Sequence, residues 1–194
     1  MAIVAVSPIR ITGSWNDGFA LDRHTISSVP TGDPYHWDTT RTELGQLVYQ
    51  LKYLGDRNAL ESIVDTAGDF LKNRWEGLLP VDGLVPVPPS VSSRNFQPAV
   101  EIGQALASRL KIPFRTDLIA KISVTPQMKN VGDWAERRQM LRQAIQKGPG
   151  SFEGKTALVF DDLVESGSTL GRVTDVLRSM GASEVYALAL TKTR

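Results

Sequence analysis

Residues 157–170 read Ala-Leu-Val-Phe-Asp-Asp-Leu-Val-Glu-Ser-Gly-Ser-Thr-Leu. An apolar run ends on two acids, and small polar residues follow at what should be the start of a helix. In open α/β sheets ligands bind outside the carboxyl ends of the strands. Ser166, Gly167, Ser168 and Thr169 at a helix start would turn backbone N–H groups and hydroxyls toward one point, where the helix dipole adds to the attraction for an anion. A phosphate monoester suits such a place, and Gly167 lets the backbone approach it at positive φ. Asp161 and Asp162 would repel a phosphate. Their carboxylates either accept hydrogen bonds from a pair of sugar hydroxyls or hold a cation indirectly. Phosphate beside a diol describes a ribose 5-phosphate. In the plainer alternative two acids end a strand and Ser168 or Thr169 caps the next helix.

Other phosphate sites are excluded by what is missing. A nucleoside-triphosphatase needs Gly-x-x-x-x-Gly-Lys-Ser/Thr, which does not occur, and Ser166-Gly-Ser-Thr-Leu-Gly171 lacks the glycine spacing of a dinucleotide fold. The 22 basic and 21 acidic side chains nearly cancel, so no global positive field exists to hold nucleic acid. There is no cysteine and there are two histidines, which removes disulfides, thiol chemistry and most imidazole metal sites. This composition fits a cytoplasmic protein. The opening residues have neither the basic flank nor the apolar length of a signal peptide or membrane span, so no membrane is expected as a partner.

The elements that must position the segment change character near Pro80. Before it, residues 2–12 and 18–29 read as short strands around a turn at 13–18, giving a hairpin-like piece. Thr40 and Glu43 have capping-box spacing ahead of a helix with Leu44, Leu47, Val48, Leu51 and Leu54 on one face, ended by Gly55. A second stripe, Leu60, Ile63, Val64, Ala67, Leu71 and Trp75, predicts a packed helix. From residue 80 onward strands and helices alternate, as in a parallel sheet with covering helices. The expected order is a strand at 82–88, a helix at 98–110 and a short strand at 114–119. A loop at 121–134 and a helix at 137–146 follow. The apolar strand at 156–160 then leads through the polar segment to a helix closed by Gly181 and a last strand at 185–190.

The segment resembles the 5-phosphoribosyl-1-pyrophosphate motif of type I phosphoribosyltransferases, in which four apolar residues precede two acids, two apolar residues and a phosphate loop ending in Gly-x-Thr. The chain from about residue 42 onward is similar to the ComF-type branch, named for a competence protein and similar to the transferase half of amidophosphoribosyltransferase-like proteins. The strings that carry this are Leu-Lys-Tyr-Leu-Gly-Asp at 51–56, Val-Pro-Val-Pro at 85–88, Arg-Asn-Phe-Gln-Pro-Ala at 94–99, Thr-Pro-Gln at 125–127, Arg137-Arg138 and Ala144. Asn95 stands where the family usually has glycine.

The resemblance implies a type I phosphoribosyltransferase fold: a central mostly parallel sheet flanked by helices in residues 80–194, with residues 1–79 as an N-terminal hood of short strands and two helices, all one unit. It gives Asp161 and Asp162 to the ribose hydroxyls and the stretch from Glu165 through Ser166, Gly167 and Ser168 to Thr169 to the 5-phosphate. The pyrophosphate loop would include Ser90, Ser92, Ser93 and Arg94. The segment from Lys121 to Arg138 would be a loop that closes over the reacting centre, with Lys121, Lys129 and Arg137 either phosphate partners or a solvated basic surface. Glu165 resembles the acid of the 6-oxopurine transferases that exchanges a proton with the base, which makes it the acid/base candidate. Alternatively it is an exposed carboxylate favoured by the helix dipole. The implied reaction moves a phosphoribosyl group to a nitrogenous base with release of pyrophosphate, with Mg²⁺ held by pyrophosphate and water. The hood would select the base, with Trp15, Phe19, Tyr35 and Trp37 either stacking on it or forming a small core of their own. A homodimer is also implied. The same resemblance allows a non-catalytic module acting in DNA uptake or beside a DNA helicase.

Overall fold

In the computed structural model residues 3–33, 37–89, 97–122 and 134–193 are described, the stretch 134–138 as backbone only. The elements in chain order are β1 (Ile9–Arg10), β2 (Asp17–Arg23), β3 (Thr25–Pro30), β4 (Trp37–Arg41), α1 (Glu43–Tyr49), α2 (Asn58–Asp69), β5 (Gly83–Pro86), α3 (Pro98–Leu110), β6 (Ile119–Lys121), α4 (Trp134–Ala144), β7 (Ile145–Lys147), β8 (Thr156–Val164), α5 (Ser168–Ser179) and β9 (Glu184–Lys192). Single π-helical turns, Gln50–Leu54 and Phe70–Arg74, extend α1 and α2.

β8 is an inner strand of the sheet with apolar side chains to bury on both faces. Leu158 and Phe160 pack with α1, α2 and α3 through Leu44, Val48, Ile63, Ile102 and Leu106. Ala157 and Val159 pack on the opposite face with Leu170, Val173 and Leu177 of α5. The two-residue period of a strand makes that division. β9 and β5 flank β8 in parallel, β2 lies parallel to β9, and β1 is antiparallel to β2, giving the order β1-β2-β9-β8-β5. The architecture is α/β, a mostly parallel sheet covered by helices on both faces, as expected. Among the described residues no helix is long and apolar enough to cross a membrane.

Several local expectations shift. The hood boundary at residue 79 does not separate the sheet from its elaboration, since β1 and β2 belong to the central sheet. The N-terminal strands do turn around 13–18, but β2 ends at Arg23 and hands the chain to β3, which pairs with β4 in a separate hairpin. Alternation alone does not say which neighbour a strand will choose. Thr40 is held in that hairpin opposite Ser27, so the N-cap of α1 is Thr42. Its Oγ1 accepts from the Gly45 N–H at 3.0 Å and donates to the Arg23 carbonyl at 2.6 Å. Gly55 ends the extension of α1 at φ 68°, as its position predicts. Around Phe114 there is a single bridge to Leu84, while β6 begins at Ile119 and pairs with β7. The helix expected at 137–146 starts at Trp134 and gives way at Ile145 to that strand.

Candidate functional site

The site is built where β8 outruns its neighbour. β5 pairs with β8 only as far as Phe160, so the chain beyond it is free to turn into α5. Asp161 and Asp162 stand at that point. Gly167 takes φ 75° and caps α5, a conformation that costs a side chain but not glycine. Its carbonyl receives the first helical bond, from the Gly171 N–H at 2.8 Å. The N–H groups of the first turn then have no intrahelical acceptor, and that of Ser168 donates to Ser166 Oγ at 3.4 Å. The Ser166 and Ser168 hydroxyls lie 2.9 Å apart, and Glu165 is exposed. Asp161 and the loop from Val164 to Leu170 line one cavity of about 150 Å³.

The two acids differ. Asp162 is buried, and its Oδ2 accepts from Lys52 Nζ at 2.7 Å. Its carbonyl accepts from Thr191 Oγ1 at 3.3 Å, and that hydroxyl lies 3.1 Å from His24 Nδ1. Asp161 accepts the Asp162 N–H at 2.9 Å. Burial first, then the Asp162 charge, push the Asp161 carboxyl well above the ordinary carboxylate range. Burial pulls Lys52 down, but the charge and hydrogen bond of Asp162 outweigh it, and Lys52 ends above its ordinary value. His24 is lowered, chiefly by burial and then by the Arg41 and Lys52 charges.

On its other side the phosphate-loop candidate is braced by the N-terminal turn. Ser14 Oγ donates to the Gly171 carbonyl at 3.3 Å, Trp15 Nε1 donates to the Ile11 carbonyl at 3.0 Å, and Trp15 is buried against the loop. A second cavity of about 210 Å³ lies between this turn, the loop, Arg142 and Arg172. Phe19, by contrast, packs edge-on with Phe70 and Trp75, and Trp37 is exposed on the hairpin.

The structure therefore brings together Asp161, Asp162, Glu165, Ser166, Gly167, Ser168 and Thr169. Lys121, at the end of β6, does not line the cavity that Asp161 shares with the loop; its Nζ donates to the Pro89 carbonyl at 3.0 Å, and burial lowers its pKa. Ser90, Ser92, Ser93, Arg94, Lys129 and Tyr35 lie outside the described residues, as does the side chain of Arg137 on α4. Lys52 belongs to one of the strings that carry the resemblance, yet sequence reasoning gave it no part in the site. Its partner is 110 positions away, and the available signal was only a lysine set between Leu51 and Tyr53 on a helix whose stripe is otherwise apolar. Among the described residues no group of three His, Cys, Asp or Glu side chains is placed to hold a metal ion.

Comparison with known proteins bears on this geometry. Residues 98–193 match the model of the phosphoribosyl transferase domain family. Competence protein F of Haemophilus influenzae is 25% identical over 101 residues, 51% of this chain and 44% of the relative, so the match spans less than half of that protein's length. Solved structures similar to this one include the allosteric regulatory enzyme of purine biosynthesis, 25% identical with a TM-score of 0.43 over 66% of this chain and 25% of that one. An APRTase from Giardia lamblia complexed with 9-deazaadenine is 16% identical, with a TM-score of 0.47 over 86% of this chain and 80% of that one. The match over residues 98–193 takes in α3, β8, α5 and β9, so the strand and helix that hold the loop lie in a phosphoribosyl transferase domain, and the chain is similar to a competence protein of the ComF type.

Proposed function

We propose that this chain binds 5-phosphoribosyl-1-pyrophosphate and transfers its phosphoribosyl group to a nitrogen of a base, releasing pyrophosphate. The observation that carries the reading is the cavity shared by Asp161 and the loop from Val164 to Leu170 at the N-terminus of α5. The loop N–H groups and the Ser166, Ser168 and Thr169 hydroxyls take the 5-phosphate, and the acids take the ribose hydroxyls. In the reaction a C–N bond forms at the anomeric carbon as its bond to pyrophosphate breaks, and the proton of the attacking nitrogen passes to a base, for which Glu165 is the candidate. Mg²⁺ would arrive on the pyrophosphate oxygens with water and neutralise the leaving charge. The roles of Ser92, Ser93 and Arg94 in the pyrophosphate loop, and of Lys129 and Arg137 as phosphate partners on the closing loop, rest on sequence alone. Lys121, tied to the Pro89 carbonyl, adjoins the start of that same loop. A homodimer acting in the cytoplasm is the accompanying expectation, and light scattering checks the dimer.

A second reading keeps the ligand and drops the transfer: a regulatory module acting in DNA uptake or with a helicase. The similarity to a protein called Competence protein F favours it. Calorimetric titration with 5-phosphoribosyl-1-pyrophosphate and Mg²⁺, beside the Asp161→Asn/Asp162→Asn double variant, tests the shared step. Binding by the wild type that disappears in the variant supports the site, and a wild type that does not bind removes the ligand. Pyrophosphate release with one of a panel of bases then favours the transferase. DNA binding that survives loss of Asp161 favours the module.

A further inference from the structure

Lys52 reaches the acids from outside the matched domain. It sits in the π-helical turn Gln50–Leu54, anchored by Leu51 in the core, and such turns widen a helix where a side chain must be re-aimed. From there it crosses to β8. The Lys52 and Asp162 side chains keep only 16% and 12% of their surface, so the pair is largely out of water. An ion pair in that setting is costly to desolvate and is a poor way to gain stability. It does fix geometry. Asp162 is thereby held at three points: its N–H on Asp161, its carbonyl on Thr191 and its carboxylate on Lys52. Asp161 lines the cavity, and among the described residues its carboxylate accepts from the Asp162 N–H rather than from a cation, so its placement leans on Asp162. The charged or titratable groups facing Lys52 and Asp162 are Asp161, Tyr53 from the π-helical turn and His24 just after β2, and His24 in turn feels the Arg41 charge.

Resting on the phosphoribosyl reading above, we propose that Lys52 is a positioning residue for the ribose-binding acids, acting through Asp162 to hold that carboxylate in one orientation while Asp161 reaches the ligand. The N-terminal part of the chain thus contributes to the ligand site without touching the ligand. Removal of the ammonium leaves two adjacent carboxylates with no counter-charge in direct contact. Asp162 then loses its fixed orientation, and the Lys52 charge no longer offsets the burial that raises the Asp161 carboxyl.

The test is a set of variants, Lys52→Met, Lys52→Arg, Asp162→Asn and the Lys52→Met/Asp162→Asn pair, each checked by thermal unfolding. Calorimetry with 5-phosphoribosyl-1-pyrophosphate and Mg²⁺ should show about a tenfold loss of affinity for Lys52→Met, most of it restored in Lys52→Arg. In the Asp162→Asn background the methionine should cost less than about twofold. Full affinity in Lys52→Met, or the same loss in both backgrounds, overturns the proposal. A ligand-free arm separates this from the function itself: in protein labelled with ¹³C at the aspartate carboxyl carbons, the Asp162 signal, identified by its disappearance in Asp162→Asn, should move in Lys52→Met. An unmoved signal overturns the role of Lys52 whatever the ligand does. A moved signal in a wild type that binds no phosphoribosyl ligand supports the Lys52–Asp162 coupling and leaves the ligand assignment as the part that fails. Should Lys52→Met not fold, Lys52→Gln carries both arms.

Discussion

Trp15 stands against Gly167: a Cβ on that glycine would lie 3.2 Å from the indole Cη2, and the backbone there already holds φ 75°. The loop thus has a wall behind it and a left-handed residue at its centre. Gly167→Ala meets both constraints. The left-handed conformation alone costs an alanine about 1–2 kcal/mol, and relief by moving the loop would turn its N–H groups from the cavity. We expect a drop in urea unfolding stability of that order together with at least about a tenfold loss in affinity for 5-phosphoribosyl-1-pyrophosphate. An alanine variant with wild-type stability and affinity would remove the loop from the site.

Asp161→Asn should make the protein more stable at neutral pH while abolishing ligand binding. Burial and the Asp162 charge hold the Asp161 carboxyl well above its usual range, whereas in the unfolded chain it titrates near 3.9. Between those values the folded state binds more protons than the unfolded one, so this group's contribution to stability falls as pH rises through the window. Asparagine has no such dependence. Melting curves of the two proteins should lie close together at pH 4.5 and separate by pH 8, with the variant melting higher. A variant that melts lower at pH 8 contradicts the sign.

Glu165→Gln separates an acid/base role from a solvated carboxylate. The side chain is exposed and adjoins the loop without a hydrogen bond among those seen at the site. As a proton carrier it should matter in the transition state, so pyrophosphate release with the acceptor base should fall by about 100-fold while ligand affinity stays near wild type. An unchanged rate leaves Glu165 as a charge favoured by the helix dipole.

What was readable in the sequence is what lies contiguous in it. Pro98 at the start of α3 and the stripe through Ile102 and Leu106 mark that helix at both ends, because one turn of chain holds the whole signal. The passage from β8 through Gly167 into α5 is likewise continuous: burial, acids, left-handed glycine and helix follow one another. The partners that come from afar were not readable. The choice of β9 as the neighbour of β2 is made by packing across 160 residues or more, and Asp17-Gly-Phe-Ala-Leu-Asp-Arg23 would alternate the same way in a lone hairpin. Lys52 stands in a string that carries the resemblance, but its task is not readable until the sheet sets Asp162 before it. Thr40 and Thr42 both satisfy capping chemistry, and only the hairpin register of β3 and β4 decides between them.

His24 should make the region around Asp162 sensitive to acid. Burial and the charges of Arg41 and Lys52 lower its pKa, with Asp162 opposing them, so the folded protein favours the neutral ring that lies beside Thr191 Oγ1. The unfolded chain takes up a proton near pH 6.5, before the folded one does. The unfolded state therefore binds more protons in the window just below that value, and stability is full above it and is lost as pH falls toward the folded value. His24→Gln keeps a polar side chain and removes the titration. Calorimetric melting of wild type and variant should differ by a roughly constant offset from pH 7 to 8, and the wild type should then lose ground to the variant between pH 6.5 and 5. At about 2–4 °C per kcal/mol for a chain of this size, that convergence is measurable. Parallel curves through the whole range would mean that His24 remains protonatable in place and that its contact with Thr191 does not depend on the neutral ring.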